Sequence, residues 1–242
     1  STQNKGIEVM LSGTPIKKDN FSWNTSFNFT YIQNKVLSID GEANNPLTTG
    51  NYRPLNAFVS VVQNYSVAQI MAYDYRYDAN GNVVIESDGI PMRGNLTPMG
   101  SGLPKFYGGL SNDFSYKNFN LSFLIDYKFG NKILSATEYY SYQYGLNKAT
   151  LPGRETGIVA EGVLEDGSAN TQNISAEAYY QGLAQNVSKT SVLDGSFIKF
   201  RQLTFGYNFT PKILGDKLFS AINVSVVARN LFTIMKHTDN ID

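Results

Sequence analysis

Between Phe119 and Phe129 the chain reads FNLSFLIDYKF, and its odd positions (Phe119, Leu121, Phe123, Ile125, Tyr127, Phe129) are all apolar or aromatic. The even positions, Asn120, Ser122, Leu124, Asp126 and Lys128, are polar except for Leu124. Side chains of a strand alternate between its two faces, so the segment predicts a β-strand with one apolar and one wet face. Its 11 residues match the roughly 9–11 with which a tilted strand crosses a bilayer. The alternation fits two settings equally: an apolar face packed on a protein core, or an apolar face against lipid.

The same pattern recurs along the chain. Ile7, Val9 and Leu11 alternate with Glu8, Met10 and Ser12; then Phe21, Trp23, Phe27, Phe29 and Tyr31 alternate with Ser22, Asn24, Ser26, Asn28 and Thr30. The connection between them, TPIKKDN (14–20), holds Pro15 and Asp19-Asn20 as turn chemistry and Lys17-Lys18 as solvated charge. Phe106, Leu110, Phe114 and Tyr116 alternate with Tyr107, Ser111, Asp113 and Ser115, and Lys117-Asn118 turns the chain into the segment above. A third hairpin runs through GSFIKFRQLTFGYNF (195–209), a turn TPKILGDK (210–217) and LFSAINVSVVARNLF (218–232). Its phase slips near Ile198–Arg201, which a bulge or the rim of the sheet accounts for. The strands expected are thus near 6–14, 21–37, 104–117, 119–131, 196–209 and 218–230.

Two long stretches, 38–103 and 131–195, lack sustained alternation. The first carries Pro46, Pro54, Pro91 and Pro98, with local strands expected around an Asn80-Gly81 turn. Its DANGN run lacks the full ligand spacing of a calcium loop, so an Asn-Gly hairpin is the expectation. In the second, SAEAYYQGLAQ (175–185) is a candidate short helix. In antiparallel up-and-down order the short turns fall at one end and both long connections at the other. Such loops are uncommon in compact soluble domains, whereas outer-membrane barrels pair short periplasmic turns with long extracellular loops. Aromatics near the strand ends (Phe21, Trp23, Tyr116, Phe119, Phe209, Phe219) are expected to form a girdle at one interface.

Composition narrows the function. The balance of 20 Lys+Arg against 20 Asp+Glu leaves no field for nucleic acid. With Cys 0 and only His237, the chain has no thiol chemistry and a single possible imidazole base, so no catalytic residue, metal site or cofactor is expected. No apolar run is long enough for a helical span. The chain opens STQNKG without a signal peptide and closes HTDNID, and it reads as a fragment.

Three blocks resemble one family. DGSFIKFRQLTFGYNFTPKILGDKLFSAINVSVVARNLFTIMKHTDNID is similar to the C-terminal signature of SusC/RagA-type TonB-dependent outer-membrane transporters, through Phe197, Ile198, Lys199, Arg201, Gln202, Gly206, Tyr207, Asn208, Arg229, Asn230, Leu231 and Phe232. GIEVMLSGTPIKKDNFSWNTSFNFTYIQNKVLSI (6–39) and PKFYGGLSNDFSYKNFNLSFLIDYKFGNKI (104–133) resemble two further family blocks. The resemblance implies an all-β, antiparallel up-and-down transmembrane β-barrel segment, about six strands of a roughly 22-stranded barrel. The family's plug domain, its TonB-contacting segment and its final strand are not matched. A six-stranded piece would leave open edges in lipid, so the rest of the barrel is expected outside this numbering.

The resemblance further implies active import of an oligosaccharide or oligopeptide, energised by the TonB complex through a plug. The implied setting is the outer membrane of a Gram-negative cell, with a SusD-like surface lipoprotein as partner. Sugars stack on aromatic faces and bind planar polar groups, so the candidate substrate-binding residues are Tyr139, Tyr140, Tyr142, Tyr144 and Arg154 in the second loop. Tyr73, Tyr75, Tyr77 and Arg93 are those of the first. Lys199 and Arg201 are expected as lumen or rim charges that support the wall. The alternatives are a passive porin-like barrel and a soluble carbohydrate-binding β-sandwich.

Overall fold

The computed structural model describes residues 1–39, 46–52, 54–209 and 221–239. In chain order the strands are β1 Thr2–Lys18, β2 Phe21–Val36, β3 Leu47–Tyr52, β4 Ala57–Val61, β5 Gln69–Tyr75, β6 Arg93–Ser101, β7 Phe106–Tyr116 and β8 Phe119–Phe129, followed by β9 Lys132–Leu134. Helix α1 spans Ala136–Gln143. Strands β10 Ile158–Val159 and β11 Asn173–Ile174 precede helix α2, Ala176–Asn186. Strands β12 Val192–Asp194, β13 Phe197–Phe209 and β14 Ile222–Lys236 complete the set. The fold is all-β.

The long strands form one six-stranded antiparallel sheet in the order β1-β2-β7-β8-β13-β14. Residues directly paired across antiparallel strands share a face, so the register can be read as rows. One row runs Leu11, Phe27, Leu110, Ile125, Phe200 and Phe232; the next on that face runs Gly13, Thr25, Asn112, Phe123, Leu203 and Ala228. On the opposite face a row runs Met10, Asn28, Gly109, Asp126, Lys199 and Thr233. Every apolar set predicted from alternation therefore lands on one side. No described residue covers that side: Leu11 is 64%, Phe205 50% and Val226 72% exposed. An apolar surface of this extent is not left open to water in a soluble monomer. The polar Asn112 on this face is satisfied in place, accepting a hydrogen bond of 2.8 Å from Trp23 Nε1.

The phase slip at Ile198–Arg201 is a bulge. Phe200 pairs with Ile125 and Gln202 with Leu124, leaving Arg201 unpaired, so that Ile198 and Phe200 share the apolar face with Leu203 and Phe205. Arg201 stays on the polar side. Its Nε and Nη2 donate to Asp126 Oδ2 at 3.0 and 2.5 Å, and its Nη1 donates to Asn230 Oδ1 at 2.7 Å. Asn230 is itself left-handed (φ 53) in the β14 irregularity opposite. Lys199 lies over the ring of Phe197 at 5.0 Å.

Several expectations need correction. TPIKKDN is strand almost throughout: β1 continues to Lys18 and the turn is only Asp19-Asn20. Pro15 sits at a register shift between Gly13 and Ile16, where the ladder to β2 is already interrupted and the missing N–H costs no bond in it. The girdle is incomplete, because β1 carries no aromatic residue. The 210–217 turn and Phe219 lie outside the described residues.

The largest correction concerns the long connections, which are structured. A second sheet, ordered β3-β4-β5-β6, occupies the first. Strands β4 (AFVSV) and β5 (QIMAYDY) are buried on both faces over much of their length, which erases the alternation. Pro98 falls on β6, an edge strand. The Asn80-Gly81 hairpin forms, with Gly81 at φ 87 and Tyr77 bridged to Val83. Asp78 accepts from the Asn80 and Asn82 amides at 2.8 Å. In the second connection α2 covers the expected helical segment, and α1 runs from Ala136 to Gln143, where no helix was expected. Ser135 caps α1, accepting from the Glu138 amide at 2.9 Å.

Two outcomes test the sheet. A Cβ on Gly108 would sit 2.1 Å from the backbone Asn28 O and 2.6 Å from the Tyr127 hydroxyl. Gly108→Val is expected to block the β2–β7 pairing and cost about 1–3 kcal/mol or more, read as loss of the folded, heat-modifiable band of the protein on a gel. Asp126→Ala and Arg201→Ala should each lower the urea midpoint, and the double variant should do so less than additively by about 0.5–3 kcal/mol. Full additivity would show that the pair does not hold the bulge.

Candidate functional site

The two long connections fold into each other to form a cap at the end of the sheet away from the Asp19-Asn20 and Lys117-Asn118 turns. Leu55, Ala57 and Ala72 of the first pack on Tyr139 and Ala184 of the second. A second cluster joins Ala176, Tyr180, Leu183 and Val187. Ser188, fully buried, fastens the two: its Oγ accepts from Tyr73 N and donates to Asn56 O, both at 2.9 Å. Lys189 reaches both carboxylate oxygens of Asp74 at 2.9 Å.

Helices α1 and α2 lie side by side. Gln143 Nε2 donates to Gln181 O at 2.9 Å, and Gln181 Nε2 donates back to Gln143 O at 3.2 Å. Tyr142 and Tyr180 meet edge-on with centroids 6.1 Å apart. Between the helices opens a cleft of about 480 Å³ that brings together Tyr142, Tyr144 and Arg154 with Gln143, Glu177 and Gln181. Arg154 braces the cleft from its own loop: Nε donates to Thr150 O at 3.0 Å, while Nη2 donates to Gly145 O and to Thr150 Oγ1. Tyr140 lies outside the cleft but stacks on Tyr144, with ring planes 8° apart.

The first-loop candidates gather elsewhere. Tyr75, Tyr77 and Arg93 line a second cleft of about 580 Å³ with Arg76 and Asn95. Arg93 also borders a third, of about 610 Å³, with Tyr139, Asn56 and Gln185. Its guanidinium rests on the Tyr73 ring at 4.9 Å and donates to Gln185 O at 2.9 Å. Tyr73 therefore supports Arg93, and Tyr139, only 6% exposed, is mainly core. Burial, with Tyr179 and Tyr142 nearby, pushes the Tyr75 phenol up to about 12, so it stays a neutral hydrogen-bonding group. Glu177 and Gln181 went unmarked in the sequence; their i, i+4 spacing on one helix face is the signal that would have found them.

Among the described residues no three His, Cys, Asp or Glu side chains converge on a point that could hold a metal ion. No helix of the described residues is long and apolar enough to cross a membrane, which says nothing of strands.

No family model matches the chain. Over 96% of its length it is 25% identical to TonB-dependent receptor P39 of Formosa agariphila, covering 26% of that protein. Over 98% it is 26% identical to TonB-dependent receptor SusC of Bacteroides thetaiotaomicron, covering 24% of it. The chain thus spans about a quarter of the length of the curated relatives it matches. Among solved structures, the RagAB peptide importer in its closed-closed state superposes with a TM-score of 0.64 at 18% identity, over 97% of this chain and 26% of that one. The resemblance to SusC/RagA-type TonB-dependent transporters holds in sequence and in fold. The SusC/RagA-like sheet and its cap are joined by a narrow neck, where β9 pairs with β12.

At this neck Asp194 accepts from Ser196 N at 2.9 Å and faces Lys132 Nζ at 3.5 Å and His237 Nδ1 at 3.6 Å. Hydrogen bonds from Ser196, then Lys132 and His237, hold its carboxyl at about 2, below the ordinary 3.8. A depressed folded pKa gives stability that is complete above the unfolded value and is lost as pH falls through the folded one. Amide exchange at 132–134 and 192–194 should therefore accelerate as pH drops from 3.8 towards 2, relative to exchange in the sheet. Asp194→Asn should remove that acid-dependent component.

Proposed function

We propose that the chain is the wall and extracellular cap of a TonB-dependent outer-membrane importer that takes up an oligosaccharide or oligopeptide. The observation that carries this reading is the uncovered apolar face, continuous through six strands and backed by a polar face with the Asp126–Arg201 pair. Lipid satisfies the first face and a water-filled lumen the second. The chain forms part of a larger closed barrel of roughly 22 strands, because the open edges at β1 and β14 need partners in a bilayer. The cap, built from both long connections, stands at the extracellular mouth and contributes to the surface that meets a SusD-like lipoprotein. Energy enters from the TonB complex through a plug elsewhere in the protein. The relatives support this direction: TonB-dependent receptors in sequence and a peptide importer in fold.

The test is uptake by intact cells. Deleting the whole gene should abolish accumulation of labelled oligosaccharide or peptide nutrients from a mixed pool, and a proton uncoupler should do the same in the parent strain. Uptake that survives the uncoupler would identify a passive porin. A protein recovered folded in the soluble fraction without detergent would restore the β-sandwich.

A further inference from the structure

We infer that the cleft between α1 and α2 is a glycan subsite that takes a neutral pyranose unit in preference to peptide. This rests on the import reading above and names its substrate class. A pyranose ring offers an apolar C–H face and a rim of hydroxyl groups, so its site needs a flat aromatic surface flanked by fixed planar acceptors. The cleft supplies both. Tyr144 is 71% exposed, and its ring is held by offset stacking on Tyr140, with centroids 6.0 Å apart. Gln143 and Gln181 use their amide nitrogens on each other's backbone carbonyls, which fixes the two side chains. Their Oε1 atoms accept no hydrogen bond from any described residue. Glu177 is anchored through one oxygen by Gln181 Nε2 at 3.3 Å, leaving the other to accept. Three side chains with acceptors to spare thus line the same cleft as one flat ring.

The same geometry is poor for peptide. Peptide capture commonly uses a free strand edge or a basic fork for the terminal carboxylate. The walls here are two helices whose backbone groups are bonded internally and capped at Ser135 and Ser175. Arg154, the cleft's only described cation, has Nε and Nη2 committed to Thr150 and Gly145, so its side-on fork is taken. With Glu177 opposite, the formal charges of the lining cancel, as a neutral ligand requires. The cleft's volume of about 480 Å³ accommodates a short run of sugar rings.

The experiment uses the full-length transporter in detergent, offered an equal-mass mixture of neutral oligosaccharides, from partial hydrolysis of mixed polysaccharides, and tryptic peptides. Retained molecules are identified by mass spectrometry. Neutral oligosaccharides should be enriched, and Tyr144→Ala and Glu177→Gln should each reduce the enrichment about ten-fold, with unchanged amide exchange in α2 showing that the cap is intact. Enrichment of peptides that the same variants weaken would overturn the sugar assignment and leave import standing. Oligosaccharide enrichment indifferent to both variants would overturn the cleft. Retention of neither class overturns the glycan subsite, whereas failure of the import reading appears separately, as gene-independent uptake in cells.

Discussion

The constraint on which the structure depends is the continuity of one face across six strands. A slip of one residue moves a whole strand's side chains to the other face; in a bilayer that would place Lys128, Asp126 and Ser122 against hydrocarbon. The pattern meets one obstacle, where β13 runs Ile198, Phe200, Leu203, Phe205 through a change of parity. The bulge at Arg201 absorbs the extra residue. An unpaired Arg is tolerable there because its guanidinium is tied to Asp126 on the neighbouring strand and to Asn230 on the other. Three strands are thereby locked at one depth by charge-assisted bonds on the polar side, while the apolar side continues unbroken.

That arrangement displaces the hydrophobic core. In a soluble domain the apolar strand faces would bury one another, but here they remain uncovered by described residues. Of the buried apolar positions described, all but Val36 at the end of β2 belong to the cap. The connections can therefore not be loose, since they carry the burial that the sheet lacks. Contacts from both connections share each cluster, and Ser188 and Lys189 tie helix to sheet by named hydrogen bonds. A ligand held by one connection is held by a body made of both. Such rigidity suits binding groups set at fixed spacing, as in the α1–α2 cleft.

Within the cap, residue type and residue role separate. Tyrosine serves as core at Tyr139, as a support for a guanidinium at Tyr73, as a neutral half-buried phenol at Tyr75 and as an open ring at Tyr144. Arg93 and Arg154 look alike in composition, yet one rests on an aromatic face and the other is spent on carbonyls at the end of a helix. Polar recognition then falls to the amides and the carboxylate of Gln143, Gln181 and Glu177, which have acceptor atoms to spare.

What the sequence determined by itself was whatever is local. Period-two alternation is a property of consecutive residues, so Phe119–Phe129 and its companions declared both strand and face. Asn80-Gly81 declared its turn because glycine permits the positive φ that the hairpin needs. Tertiary structure decided what depends on residues distant in the chain. Strands β4 and β5 were hidden because burial on both sides removes alternation, and Pro15 was misread because only the register shift against β2 makes it harmless in a strand. The choice between bulge and rim at Arg201 required its neighbours, as did its pairing with Asp126, 75 positions away. Which tyrosines face solvent was settled by the packing of one connection against the other, an arrangement of side chains that no short stretch of sequence encodes.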